Sequence, residues 1–141
     1  MNKFLVETDF LFGLRHSDRY NPKVEEALNL TKNKKVELKV ITSAIFEVRT
    51  VLYSQGKNSE EIRQILTLMK QKLDDNNIKE EYIKFDDFIL ADYLRSQHGK
   101  LTFFDALHAA VSQRKKISLY GNDEVLKDLK FIAKTFDEEL I

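Results

Sequence analysis

The alternation of short apolar runs with helical patterns is the feature of this sequence that most constrains its fold. Four runs have the length and apolar content of strands, KFLVET, VELKVIT, EYIKF and ISLY, and KFIAK near the end is a fifth candidate. Helical patterns separate these runs, and two consecutive helices follow the second run. Strands that alternate with helices predict a parallel sheet with helices on both faces. We therefore expect an α/β protein with a mainly parallel sheet of four to five strands.

Capping residues and breakers place the ends of the predicted helices. Ser, Thr or Asn-Pro before an apolar pattern indicates a helix start, and Gly after one indicates its end. The predicted helices run from Asn21 to about Lys32, from a Ser43 cap to near Gly56, from a Ser59 cap past Leu73, from Asp86 to Gln97, from Thr102 to about Lys116, and over the short segment DEVLKDL.

Composition points to one soluble domain. The chain has 141 residues, of which 43% are apolar and 33% charged, a balance that suits a globular protein with its own core. Cysteine is absent, which excludes disulfides and thiolate metal sites, and three scattered histidines argue against a His-rich zinc site. The sequence shows neither a signal-peptide pattern nor the roughly 18 to 20 apolar residues of a membrane span. We expect a single domain over residues 1–141, located in the cytoplasm and without a membrane partner.

Acidic residues occur where predicted strands end and helices begin. Glu7 and Asp9 follow the first strand, and Glu47 lies in the first turns of the helix after the second strand. Asp105 starts a long helix, and Asp123 follows the ISLY strand. The carboxyl ends of parallel strands line the crevice in which α/β proteins bind their ligands. These acids are therefore candidates for a functional site.

Each acid also has a structural interpretation. Asp105 stands three residues after Thr102, the spacing of a capping box, and Asp123 would favour a helix N-terminus. Glu47 lies at the edge of an apolar helix face, where a carboxylate needs a partner. Glu7 ends a strand that should be central in the sheet, and a carboxylate buried there is either protonated or bound to a cation.

Taken together, the acids favour a cation. Carboxylates that converge at one edge of a sheet raise each other's pKa, and a divalent cation removes this repulsion. Oxygen ligands match Mg²⁺ or Mn²⁺ better than Zn²⁺. A site of this kind holds one or two ions, which activate a water and stabilise the charge on a phosphodiester during in-line displacement.

The same residues, in the same order, resemble the PIN-domain family, and within it the small VapC-type toxins of toxin–antitoxin pairs. The segments VETDFLFGL, ITSAIFEV, LTFFDALHAA and YGNDEVL match the surroundings of the four family acids, and LTFFDALHAA is the most specific of them. The resemblance covers essentially the whole chain. It implies a three-layer α/β/α sandwich, Mg²⁺-dependent cleavage of RNA, a homodimer and a cognate antitoxin. The acids that it assigns to catalysis and metal binding are Glu7, Glu47, Asp105 and Asp123.

Two residues depart from the family pattern. Glu7 stands where the family has Asp, so its oxygens lie farther from the backbone by about one C–C bond, roughly 1.5 Å. Such a shift weakens octahedral Mg²⁺ binding, favours Mn²⁺, or brings in Asp9 as a further metal ligand. Gly121 stands where the family has Ser or Thr two residues before the fourth acid, and we interpret this as the loss of a hydroxyl that orients a ligand.

Three functions remain open at this point, one of which is cleavage of DNA or of another phosphoester by the same acids. The first is a divalent-metal-dependent endoribonuclease of VapC-toxin type. The alternative is a PIN-like module that binds RNA or a protein and whose nuclease activity is attenuated or lost, as Glu7 and Gly121 would suggest.

Basic, histidine and phenylalanine residues are further candidates for functional roles. Because basic and acidic residues balance at 23 each, RNA binding requires a local basic patch, and Arg15 and Lys100 are the candidates closest to the expected crevice. His108 is expected to pack or to face solvent and not to bind metal. The Phe-rich stretches DFLFGL and FDDFIL are expected to belong to the core, with a groove for a partner as the alternative.

Overall fold

The computed structural model of the protein describes residues 1–121, 126 and 133–141. Apart from the short first helix, which the sequence patterns do not include, the described helices and strands follow one another in the predicted order. They are β1 Asn2–Val6, α1 Thr8–Phe12, α2 Asn21–Lys32, β2 Val36–Ile41, α3 Thr42–Ser54, α4 Ser59–Asp75, β3 Lys79–Glu81, α5 Phe85–Gln97, α6 Phe103–Lys115, β4 Ser118–Gly121 and β5 Ala133–Thr135.

The five strands form one sheet with the spatial order β3-β2-β1-β4-β5, and every pair of neighbours is parallel. Val6, near the end of β1, lies opposite Val40 of β2 and Tyr120 of β4. The residues that follow these strands therefore meet at one edge of the sheet. We call this the carboxyl edge.

The sheet separates two apolar cores. Along β1, Phe4 and Val6 point into the core that is covered by α1 to α4, whereas Leu5 points into the core that is covered by α5 and α6. This alternation follows from the two-residue repeat of a strand. Helices on both sides of a parallel sheet confirm the expected α/β/α sandwich.

Three sequence predictions are wrong in detail. The residue before α3 is Ile41, which makes no side-chain capping bond, and Ser43 is buried inside that helix. The cap of α4 is Asn58, which forms a capping box with Glu61. The strand expected over EYIKF instead spans Lys79–Glu81, and beyond its end the N–H of Ile83 donates to Thr42 Oγ1 at 3.2 Å.

The other predicted bounds agree with the structure where it describes them. Helix α2 spans its predicted residues, and α5 and α6 begin and end within one residue of theirs. The DEVLKDL helix lies outside the described residues except for Leu126, and only the last two residues of KFIAK are described, within β5. In the described part of the chain, no helix has the length and apolar character that crossing a membrane requires.

Candidate metal site at the carboxyl edge

Glu7 is the first residue of the site, and it sits where β1 ends and α1 begins. Only 5% of Glu7 is exposed, so the prediction of a buried acid at this point is confirmed. Its Oε1 accepts the backbone N–H of Asp9 at 3.3 Å, which makes Glu7 the N-cap of α1. The side chain therefore has a structural partner, and its carboxylate is fixed at the carboxyl edge.

Glu47 reaches the same edge from α3, the helix that follows β2. Its Oε1 accepts hydrogen bonds from the Thr8 hydroxyl and from His108 Nε2, the latter at 3.0 Å. Burial acts to raise the pKa of Glu47, but the hydrogen bonds from His108 and Thr8 outweigh it and lower the pKa below its usual value. Glu47 is therefore ionised at neutral pH.

His108 lies on α6 and is fully buried. Its Nδ1 is 2.8 Å from the Ser43 hydroxyl, and its Nε2 is 3.0 Å from Glu47. An ionised carboxylate can only accept, so Nε2 carries a proton, and in the neutral ring Nδ1 then accepts from Ser43. Nε2 thus holds Glu47, and the bond between Nδ1 and Ser43 fixes the orientation of the ring. Of the two expectations for His108, packing is confirmed and solvent exposure is wrong.

Within the described residues, Glu7, Glu47 and His108 form a group whose potential ligand atoms all lie within 4.8 Å of one another. Oxygens that share one Mg²⁺ or Mn²⁺ ion lie roughly 3 to 4 Å apart. A cation between the two carboxylates would thus require only modest side-chain movement. His108 contributes by fixing Glu47, because a metal would have to displace the hydrogen bond at Nε2.

Asp9 and Asp105 border this group and are half-buried. The pKa of Asp9 is raised, chiefly by burial and then by the negative charges of Glu47, Asp105 and Asp18, while Arg19 acts in the opposite direction. The expected repulsion among the acids is therefore present at Asp9, whereas the pKa of Glu47 is lowered by its hydrogen bonds.

The alternative structural role of Asp105 is also present, but it involves the backbone. Thr102 Oγ1 accepts the N–H of Asp105 at 3.2 Å and caps α6. The carboxylate of Asp105 contributes its charge to the surroundings of Asp9.

The remaining predicted residues stand as follows. Asp123 lies outside the described residues. Arg15 and Lys100 are exposed, as an RNA contact requires, and Arg15 lies over the Phe12 ring at 5.6 Å. Their roles stay predictions.

Sequence reasoning did not assign the partners of Glu47, Thr8 and His108, or Ser43, which holds the His108 ring. One signal for them was available. Ser43 and Glu47 are four residues apart on α3 and therefore share one helix face. Polar groups that share a largely apolar face need partners from the helix packed against them, and α6 offers His108 for both.

Aromatic rings continue outward from the site. The ring of Phe104 is 6.3 Å from His108, 6.2 Å from Phe46 and 5.5 Å from Phe103, and Phe103 is 6.4 Å from Phe88. Phe46 and Phe88 are exposed. The expectation that FDDFIL belongs to the core is therefore wrong at its phenylalanines, because α5 turns that face outward. The DFLFGL stretch does belong to the core, where Phe10, Leu11 and Leu14 are buried.

An all-parallel five-stranded sheet with helices on both faces and acids gathered at its carboxyl edge defines an α/β protein with an acidic cluster at that edge. The sequence identifies the family of this α/β protein. A model of the PIN domain matches residues 4–132, and the chain belongs to the PIN-domain family.

Solved structures agree with the family. VapBC2 from Rickettsia felis, bound to a promoter DNA fragment, superposes with a TM-score of 0.69 at 14% identity, covering 94% of this chain and 98% of that one. VapC20 from Mycobacterium tuberculosis, a sarcin–ricin loop cleaving toxin, gives 0.69 at 20% identity, covering 92% and 96%. DNA-bound VapBC from Salmonella typhimurium gives 0.66 at 13% identity, covering 96% and 99%. At these identities the likeness establishes the fold. No curated protein matches the sequence.

Proposed function

We propose that the protein is a divalent-metal-dependent endoribonuclease, the toxin of a VapBC-type toxin–antitoxin pair, which hydrolyses RNA phosphodiester bonds. The observation that carries this proposal is the convergence of Glu7 and Glu47 at the carboxyl edge, with Asp9 and Asp105 close enough to repel. A buried concentration of negative charge is costly unless a cation neutralises it. Membership of the PIN-domain family supports the same chemistry.

The donor set fits Mg²⁺ or Mn²⁺. We propose Glu7, Glu47, Asp105 and Asp123 as its catalytic and metal-binding acids, with Asp9 as a further ligand. Carboxylate oxygens are the ligands that these hard cations prefer. When bound, the cation would activate water and neutralise charge on the phosphodiester. Thr8 and His108 would hold one oxygen of Glu47 in place, so that the cation meets a fixed ligand.

RNA is the proposed substrate. Among the structural neighbours, VapC20 from Mycobacterium tuberculosis is a toxin that cleaves the sarcin–ricin loop. Arg15 and Lys100 are exposed and are proposed to contact the phosphates of the RNA. Binding through such contacts weakens as salt increases, because it depends on the release of counterions from the nucleic acid.

A cognate antitoxin and a second copy of the chain are the proposed protein partners. Several structural neighbours are toxin–antitoxin complexes. On α5, Phe85, Ile89 and Tyr93 lie on one helix face, and Phe85 is 81% exposed. An exposed apolar face of this kind is typical of a surface that a protein partner covers. We further propose that residues 1–141 act as one domain in the cytoplasm.

Cleavage of a structured RNA in Mg²⁺ or Mn²⁺ tests the function. We expect the wild type to cleave, EDTA to abolish cleavage, and Glu47→Gln, Asp105→Asn and Asp123→Asn to lose most of the activity. Asp92→Asn is the matched control, since Asp92 is an exposed acid on α5, and it should keep full activity. Equal cleavage by the wild type and the site variants would mean contamination and would refute the assignment. RNA binding without any metal-dependent cleavage would instead support a binding module.

A further inference from the structure

Gly121 ends β4 directly beside Glu7. A Cβ atom added to Gly121 would overlap Glu7 Oε1 and would lie 3.3 Å from Cδ and 3.5 Å from Cγ of the same side chain. The register explains the contact. Val6 of β1 and Tyr120 of β4 are partners, and the residues that follow them, Glu7 and Gly121, both lie at the carboxyl edge. The Glu7 side chain therefore lies across the Cα of Gly121.

The backbone does not require glycine at this position. Among the described glycines, only Gly56 has a positive φ, of 87°. Gly121 is in an ordinary strand conformation, paired with Thr135 of β5. Space is thus the reason for glycine at this point: any side chain at position 121 would compete with the carboxylate for one volume.

We propose that Gly121 is a positioning residue for Glu7, and that positions 7 and 121 act as one coupled pair. Glutamate at position 7 can keep its carboxylate on the Asp9 N–H only beside a residue without a side chain at position 121, whereas the shorter aspartate leaves room for a small one. Glu7 and Gly121 are then two parts of a single arrangement, and the glycine keeps the longer acid at the site. The consequence for metal binding rests on the proposed function; the coupling itself does not.

A double-mutant cycle with the full chain tests the pair through Gly121→Ala, Glu7→Asp and the double variant. The melting temperature in EDTA is the first measurement. Overpacking of a buried site costs enough that Gly121→Ala alone should lower Tm by roughly 3 to 10 °C. In the Glu7→Asp background, the same substitution should lower Tm by less than a third of that amount. Gly99→Ala is the matched control, because nothing lies within 4 Å of an added Cβ there, and Tm should change little.

Mn²⁺ affinity, measured by calorimetry, is the second measurement. Displacement of a ligand by Gly121→Ala should weaken Mn²⁺ binding about 10-fold or more. Adding Gly121→Ala to Glu7→Asp should leave the affinity of Glu7→Asp nearly unchanged, which a merely destabilising substitution would not explain.

The outcomes separate the coupling from the function. An equal loss of Tm in both backgrounds would show that Gly121 acts independently of Glu7 and would overturn the proposal. If Gly121→Ala does not fold, folding of the double variant supports the coupling, and failure of both contradicts it. Coupling in Tm without any Mn²⁺ binding by the wild type would retain the pair and refute the metal site.

Discussion

Helix α6 holds two acids from neighbouring helices in two different ways. Asp87 of α5 is 1% exposed and is bound by Arg114, with Nε to Oδ1 at 2.7 Å and Nη2 to Oδ2 at 3.0 Å. Oδ2 also accepts the backbone N–H of Lys84 at 2.8 Å. A permanent positive charge in bidentate geometry neutralises this carboxylate, and the pair joins α5 to α6.

Glu47 of α3 is bound by a hydroxyl and an imidazole in place of a guanidinium. Thr8 and His108 satisfy one oxygen, and 23% of the Glu47 side chain remains exposed. Neither donor carries the permanent positive charge of a guanidinium, so Glu47 is held in place without a fixed counterion. The difference separates an acid that stabilises the fold from an acid that is available to a cation.

Arg114→Leu is expected to have the largest effect on stability. The substitution leaves Asp87 buried without its counterion, and breaking a buried ion pair from one side costs about 3 kcal/mol. Urea unfolding measures this cost. Arg63→Leu is the matched control, because it removes an exposed ion pair with Glu60, and it should hardly change the midpoint. Equal midpoints for the two variants would show that the Asp87 pair does not stabilise the fold.

His108→Leu should have a smaller effect on stability and a specific effect on metal. It removes the Nδ1 partner of the Ser43 hydroxyl and one of the two donors to Glu47, while the bond from Thr8 remains. This loss costs about 2 kcal/mol. Loss of the group that orients a ligand should weaken Mn²⁺ binding by about 10- to 100-fold.

Calorimetry of Mn²⁺ binding to the His108→Leu variant tests this role. Unchanged Mn²⁺ affinity would argue against a positioning role for His108. Loss of binding as complete as in Glu47→Gln would make His108 a ligand instead. Ser43→Ala removes only the partner of Nδ1, so its effect should be weaker than that of His108→Leu.

Asp9→Asn should have the smallest effect, and of the opposite sign. The charge removed is one that burial and the neighbouring acids Glu47 and Asp105 disfavour. Without metal, the variant should therefore melt higher than the wild type by about 2 to 4 °C, which corresponds to about 1 kcal/mol. Thermal unfolding in EDTA tests this, with Asp92→Asn as the exposed control. A lower melting temperature would mean that the ionised Asp9 stabilises the fold.

Much of the fold follows from the sequence because strands and helices have local signals. The periodicity of VELKVIT, the proline at the start of α2 and the threonine before α6 each act within one element. The prediction of a strand over EYIKF was wrong, and the N–H of Ile83 in this segment bonds to Thr42, a residue distant in sequence. The prediction that Ser43 caps α3 was wrong as well, and the Ser43 hydroxyl bonds to His108 on another helix.

The site could be predicted only as a set of acids. The positions of Glu7 directly after β1 and of Glu47 in the first turns of the helix after β2 were enough to bring them together, because parallel strands share one carboxyl edge. Their partners could not be predicted in the same way, since the contacts of Thr8, His108 and Gly121 depend on how helices and strands pack. The interpretation of Gly121 differs most between sequence and structure. The sequence indicates the loss of a hydroxyl, whereas in the structure the absence of a side chain leaves space for Glu7.

Mn²⁺ titration of wild type, Glu47→Gln and Asp87→Asn by calorimetry tests the central claim most directly. The claim is that the charge of Glu47 is available to a cation, whereas the charge of Asp87 is neutralised within the fold by Arg114. We expect the wild type to bind Mn²⁺ and Asp87→Asn to keep that affinity at a temperature where it is folded. Glu47→Gln should bind at least about 100-fold more weakly. Equal binding by Glu47→Gln and the wild type, or an equal loss in Asp87→Asn, would contradict the account.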